Sequence, residues 1–248
     1  MNVQIVAIGG MVMSIITDGR IVTVNKTRFF NPFVGNKYKE GIHGKRILVV
    51  GASFYCNRFD CQFFTRCTDV GLKNSSPYDN CCPVYQKAGK QLHYEPSYCI
   101  SESPQTYKNF ASYISKSCGY TSYEDSWNHL AFTNYVQFFL PSNGEFFRET
   151  RMADLSERDF NAFNETLVEL LPDIVIIWGR VVNSRLREKN ECLVSKTELD
   201  ETEGYVCRIK VPEITHEISL IKTCHPSSSA WFSMMDTFDK YLSLELMR

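Results

Sequence analysis

Three short aliphatic runs constrain this chain most: Ile47-Leu48-Val49-Val50, Ile174-Val175-Ile176-Ile177 and Ile218-Ser219-Leu220-Ile221. Runs of this length, rich in β-branched residues and ending in a loop, read as strands buried on both faces. They open into Gly51-Ala52-Ser53, Trp178-Gly179, and Lys222-Thr223-Cys224-His225-Pro226-Ser227-Ser228. Helical signals lie between and after them. Ser156-Glu157-Arg158-Asp159 has a capping-box pattern, Phe160, Phe163, Leu167 and Leu170 follow at helical spacing, and Pro172 stops the run. Val181 to Lys189 reads as a short helix. A closing helix carries Trp231, Met235, Phe238, Tyr241, Leu242 and Leu246. Strands alternating with helices imply right-handed crossovers, so the expected fold is a three-layer α/β/α domain around a mostly parallel sheet. Tyr205 to Val211 alternates and is expected at the sheet edge. Ligands of such sheets bind beyond the carboxyl ends of the strands. That rule selects the loops after Val50, Trp178 and Ile221.

The remainder is less regular. Ile15-Ile16-Thr17 and Arg20 to Val24 flank Asp18-Gly19, which suits a hairpin turn. We expect one domain over 1–248, with an N-terminal extension over 1–40 and an irregular cysteine-rich insertion over about 56–104. Phe132 to Leu140 is aromatic and reads as the end of a strand or helix before Pro141. Hydrophobic residues make up 44% and charged residues 22%, which excludes disorder over most of the chain. The net charge of −1 argues against tight non-specific nucleic-acid binding but leaves room for a local basic groove. Arg148, Arg151, Arg180, Arg185 and Arg187 are candidates for such a rim, with ordinary surface charge as the simpler reading. No apolar run is long enough to span a bilayer, and Met1 to Ile16 lacks the marks of a signal peptide. Ten cysteines in a chain able to build its own core point to reduced thiols and a cytoplasmic protein.

Three groups of residues could carry chemistry. Gly51 allows a tight turn, and Ala52, Ser53, Phe54 and Tyr55 follow it into a crevice. Asn134 lies among apolar neighbours, where an amide must be hydrogen-bonded, and it offers a donor and an acceptor together. A structural amide is the simpler reading of Asn134 taken alone. His225 can change protonation near neutral pH, Pro226 stiffens its loop, and Ser227 or Ser228 can cap the final helix.

Strand-Gly loop, Phe132-Thr133-Asn134-Tyr135, Pro172-Asp173-strand-Trp178-Gly179 and strand-His225-Pro226-Ser227 occur in an order that resembles the uracil-DNA glycosylase superfamily. The resemblance covers about Arg46 to the C-terminus, leaving the cysteine-rich stretch unmatched. Phe132 to Tyr135 looks like the base-reading segment of the single-strand-selective branch. The resemblance implies a partner in DNA, single-stranded for that branch, or a free base or nucleotide. It implies that Asn134 reads the base, that Phe54 or Tyr55 stacks on it, and that His225 stabilises charge on the leaving base. Pro226, Ser227 and Ser228 would touch DNA, and no cofactor would be required. The first loop of the family carries Asp, Asn or Glu, whereas Ala52 stands here; Ser53 or Asp60 would have to orient water.

Two other readings remain. A catalytically silent module on the same fold would bind the base without cleaving it. An esterase would use Ser53 as nucleophile and His225 as base, although Ala52 and Lys222 stand where acidic residues are wanted. Cys56, Cys61, Cys67 and Cys82 would hold a structural metal only by departing from paired spacing, and free or buried thiols are the plainer reading. The sequence is silent on oligomeric state.

Overall fold

The computed structural model describes residues 4–8, 12–17, 20–25, 28, 30–56, 105–137, 139–141, 150–189, 194–195 and 206–248. Three N-terminal strands, β1 (Gln4–Ile8), β2 (Val12–Thr17) and β3 (Arg20–Asn25), form an antiparallel sheet. Thr17 opposite Arg20 closes the expected hairpin.

The remaining elements follow in the order β4 (Phe33–Val34), β5 (Ile47–Gly51), β6 (Phe54–Cys56), α1 (Gln105–Cys118), α2 (Tyr123–Asn128), β7 (Leu130–Asn134) and β8 (Phe139–Pro141). Then come α3 (Glu157–Leu170), β9 (Ile174–Trp178), α4 (Arg180–Lys189), β10 (Val194–Ser195), β11 (Val206–Ile209), β12 (Ile218–Thr223), α5 (Ala230–Ser233) and α6 (Met235–Met247). The result is a mixed α/β fold. Its main sheet has seven strands in the order β10-β11-β12-β9-β5-β7-β4. The contacts β12–β9, β9–β5 and β5–β7 are parallel; the outer contacts are antiparallel. The sheet is therefore mixed rather than mostly parallel. β11 is not the edge either, because the short β10 pairs outside it.

The central strands are buried at every position; β5 and β9 are aliphatic almost throughout, and β7 buries Thr133 and Asn134 as well. Alternate side chains of a strand point to opposite faces. Ile47 and Val49 enter one core, with Phe110 and Ile114 of α1, Trp127 of α2, and Phe238 and Leu242 of α6. Leu48 and Val50 enter another, with Phe163 and Leu167 of α3 and Val182 and Leu186 of α4. Helices thus pack against both faces of the strands. Phe33 and Tyr38, from the expected N-terminal extension, join these cores.

The capping box at Ser156 forms as the sequence predicts: the side chain accepts from Asp159 N, and Asp159 accepts from the Ser156 backbone. Leu171 turns left-handed at φ 49° and stops α3 before Pro172. The single closing helix expected from Trp231 onward is instead two, broken at Met234, which ends α5 and starts α6. Among the described residues, no helix is long and apolar enough to cross a membrane.

Candidate functional site

The carboxyl ends of β7, β5, β9 and β12 lie side by side. Gly51 pairs with Asn134 and Trp178 with Thr223, and the register Val50 to Ile177 carries Gly51 to Trp178. Phe132, Val49, Ile176 and Ile221, each two residues earlier, all enter the same core. By strand alternation, positions 134, 51, 178 and 223 share that face and form a row across the sheet. From β5, the chain places its next parallel strand, β7, on one side and β9 on the other. The switch point between β5 and β9 is where a doubly wound sheet opens a crevice.

Asn134 is 3% exposed. Its amide lies over Gly51: a Cβ at position 51 would collide with Asn134 Oδ1 and come within 3.0 Å of Phe132 Cζ. Gly51 therefore serves close approach rather than the tight turn expected from the sequence; it is the last strand residue and has no positive φ. Beyond β7 the chain stays joined to the first loop, with Tyr135 N donating to Gly51 O and Val136 N to Ala52 O, both at 2.9 Å. Gln137 Nε2 donates to Asn134 O at 2.8 Å, and Gln137 Oε1 accepts from Phe30 N at 3.1 Å. Gln137 N in turn donates to Asp159 Oδ1 at 2.6 Å. Asn134 is thus fixed by its own strand, by the N-terminal segment and by the cap of α3.

The first loop does not assemble a water-activating acid among the described residues. Ala52 is half-buried and packs against the second core. Ser53 Oγ and Thr150 Oγ1 are 2.7 Å apart. Phe54 meets Phe30 edge-on, with centroids 4.6 Å apart, and packs into the first core. Tyr55 is the ring left accessible, at 39% exposure. Asp60 lies outside the described residues.

His225 is exposed on the loop after β12. Its Nδ1 lies 2.7 Å from Ser227 Oγ and accepts from Ser227 N at 3.4 Å. An acceptor Nδ1 places the proton of a neutral imidazole on Nε2, and so makes Nε2 the donor. The ring meets Trp178 edge-on at 5.9 Å. Pro226 is buried, and its carbonyl accepts from Asn109 Nδ2 of α1 at 3.0 Å. Neither Ser227 nor Ser228 caps the final helix: Ser229 holds the N-cap of α5 without a side-chain bond. Ser227 serves His225 instead, and Ser228 N donates to His225 O at 2.8 Å.

A Ser-His hydrolase needs its base within hydrogen-bond reach of the nucleophile. Ser53 follows β5 and His225 follows β12, with β9 between them, which puts their strands about 10 Å apart. The hydroxyl of Ser53 pairs with Thr150 rather than with His225. Of the arginines, Arg185 pairs with Glu157 at 3.6 Å, Arg151 and Arg180 are exposed, Arg187 lies on α4, and Arg148 falls outside the described residues.

Cys56 ends β6, while Cys61, Cys67, Cys81, Cys82 and Cys99 lie outside the described residues, and with them the question of a metal in the insertion. Among the described residues no three His, Cys, Asp or Glu side chains gather as metal ligands. Cys118, Cys207 and Cys224 are half-buried and form no disulfide, and burial pushes the Cys118 thiol up to about 11.

Neither Gln137, Thr223 nor Trp178 stands among the candidate residues that the sequence marks. Counting alternate positions from Ile221 finds Thr223 on the face of the first core; nothing in the local sequence marks Gln137. A scan of the chain against protein-family models matches none, and a search of curated proteins finds no significant match.

Proposed function

We propose that this chain is a glycosylase-like protein that takes an extruded uracil-class base of DNA into the crevice beyond β5, β7, β9 and β12. The observation that carries the reading is the buried Asn134 amide laid over Gly51 at the switch point. An amide offers a donor beside an acceptor, the complement of a lactam edge, and the glycine directly beneath it is what lets the amide lie there. Tyr55 supplies an accessible ring for stacking, which offsets part of the cost of extrusion. His225 presents Nε2–H as a donor for the charge that grows on a departing base when an N-glycosidic bond breaks. Helices on both faces of the sheet support a three-layer α/β/α arrangement of the glycosylase kind. The thiols agree with a reducing, cytoplasmic setting.

Ala52 and the Ser53–Thr150 pair favour a second reading, in which the base is bound without being released. The deciding assay incubates the full chain with labelled oligonucleotides bearing uracil, hydroxymethyluracil, hypoxanthine or xanthine, single- and double-stranded, and counts alkali-labile sites. Product that disappears in both Asn134→Ala and His225→Ala establishes the hydrolase. Base-dependent binding without product establishes the silent module. Neither binding nor product on any substrate overturns the reading.

A further inference from the structure

The row at the strand ends does not stop at Asn134. Trp178 and Thr223 continue it, 2% and 1% exposed, on the same face. Trp178 Nε1, Thr223 Oγ1 and Ser228 Oγ are each buried without a hydrogen-bond partner. Among the described residues two further neutral side chains share that condition, one away from this edge and one beside Asn134 but on the opposite face of the sheet. Trp127 Nε1 sits on α2, near Phe33 and Phe110, and Tyr135 belongs to the opposite core, against Phe163. Unpaired polar groups are costly to bury and are rare in native cores. Three of them around one loop, beside an amide already laid toward β5, mark an edge that acquires its partner from outside the chain.

We infer that Trp178 and Thr223 form the second polar edge of the binding row, facing the ligand carbonyl that Asn134 does not reach. This rests on the base-binding reading above and adds its selectivity. An indole N–H only donates, whereas a hydroxyl donates or accepts. A donor fixed in a dry site accepts a carbonyl and rejects an amino group, because two opposed donors leave both unpaired. The row therefore favours a ring with two carbonyls flanking an N–H, such as uracil, over cytosine, whose amino group takes the place of the carbonyl that the Trp178 N–H would face.

Two near-isosteric variants test this. Trp178→Phe removes the N–H and keeps an aromatic ring in place, and Thr223→Val removes the hydroxyl at constant shape. The probes are oligonucleotides carrying 2′-fluoro-2′-deoxyuridine, whose glycosidic bond resists cleavage, the matching cytidine analogue, or a tetrahydrofuran abasic site. Each variant is expected to bind the uracil probe about fivefold or more weakly and the abasic probe unchanged. The preference for uracil over cytosine is expected to fall with it. Without ligand, Thr223→Val is expected to melt higher than the parent, because it removes an unpaired buried hydroxyl. If Asn134→Ala loses the uracil probe while Trp178→Phe and Thr223→Val keep it, the base site stands and the second edge is overturned. A lower melting temperature for Thr223→Val with unchanged affinity overturns it equally. If the parent chain itself fails to separate the uracil probe from the abasic one, both this inference and the reading beneath it fall.

Discussion

A methyl group at position 51 has nowhere to go. It would meet the amide oxygen of Asn134 and the ring of Phe132, and both belong to a strand buried at every position. Gly51→Ala should therefore cost about 1–3 kcal/mol, as overpacked cores do, and should displace the Asn134 amide. Urea unfolding measures the first effect, and base-dependent oligonucleotide binding, expected to vanish, measures the second. An unchanged midpoint would mean that the amide has room to turn aside. At this scale the sequence disclosed identities better than reasons. It marked Gly51 as a turn residue and Asn134 as an amide in apolar company. It did not disclose that the two are register partners, since parallel pairing between residues 83 positions apart leaves no local trace. Phe54 and Tyr55 stood as equals in sequence; only packing against Phe30 separates the half-buried ring from the accessible one.

Elements are tied down unequally. Arg208 of β11 donates to both carboxylate oxygens of Glu245 on α6, at 2.7 and 2.8 Å, and Ser219 of β12 donates to the same carboxylate at 2.6 Å. All three are buried. Removing one member leaves a charge in the core, so Glu245→Ala should cost about 3–5 kcal/mol, and replacing Arg208 and Glu245 together by Met and Leu should recover most of it. Equal losses in the single and double variants, read from urea midpoints, would refute that coupling. Loss of the cap in Ser156→Ala should cost about 1 kcal/mol and is checked by thermal unfolding. The capping box was legible because four consecutive residues carry it, as were β5 and β9 because each is nearly all aliphatic and β12 because Ile218, Leu220 and Ile221 lead it. α1 was overlooked although Tyr107, Phe110, Ala111 and Ile114 keep helical spacing on its buried side. It begins at the end of the irregular cysteine-rich stretch, where the start signal Ser103-Pro104 is easily lost among turn residues. β7 was hard to place because Leu-Ala-Phe-Thr-Asn carries neither a clear helical nor a clear strand period. β11 reads as an edge in the sequence because Val194-Ser195, which pairs outside it, is too short to alternate visibly.

Across the whole molecule, the two ends of the sheet do different work. At the amino ends, Asp173 receives Arg46 N at 2.8 Å and the Arg46 side chain at 3.2 Å, and lies 3.7 Å from His216. Burial alone would raise its pKa, but the hydrogen bonds and charge of Arg46, aided by His216, outweigh burial and hold the carboxyl below its usual range. A carboxylate depressed on folding stabilises the native state above its unfolded pKa, and that contribution is lost as pH falls through the folded value. Asp173→Asn should therefore show a flatter decline in melting temperature below about pH 4 than the parent chain. Parallel declines would show that Arg46 gains nothing from the charge. The site is at the other end of the same strands, so this variant should leave base binding intact. The sheet order has one more consequence, which concerns synthesis. β5 sits at the centre, yet its neighbours β7 and β9 begin 79 and 123 residues after Gly51. At ribosomal speeds of about 5–20 residues per second, the first arrives roughly 4–16 s later. For that interval Ile47–Gly51 is an apolar strand with both hydrogen-bonding edges open, so the most protected segment of the finished protein is the most vulnerable segment of the nascent one.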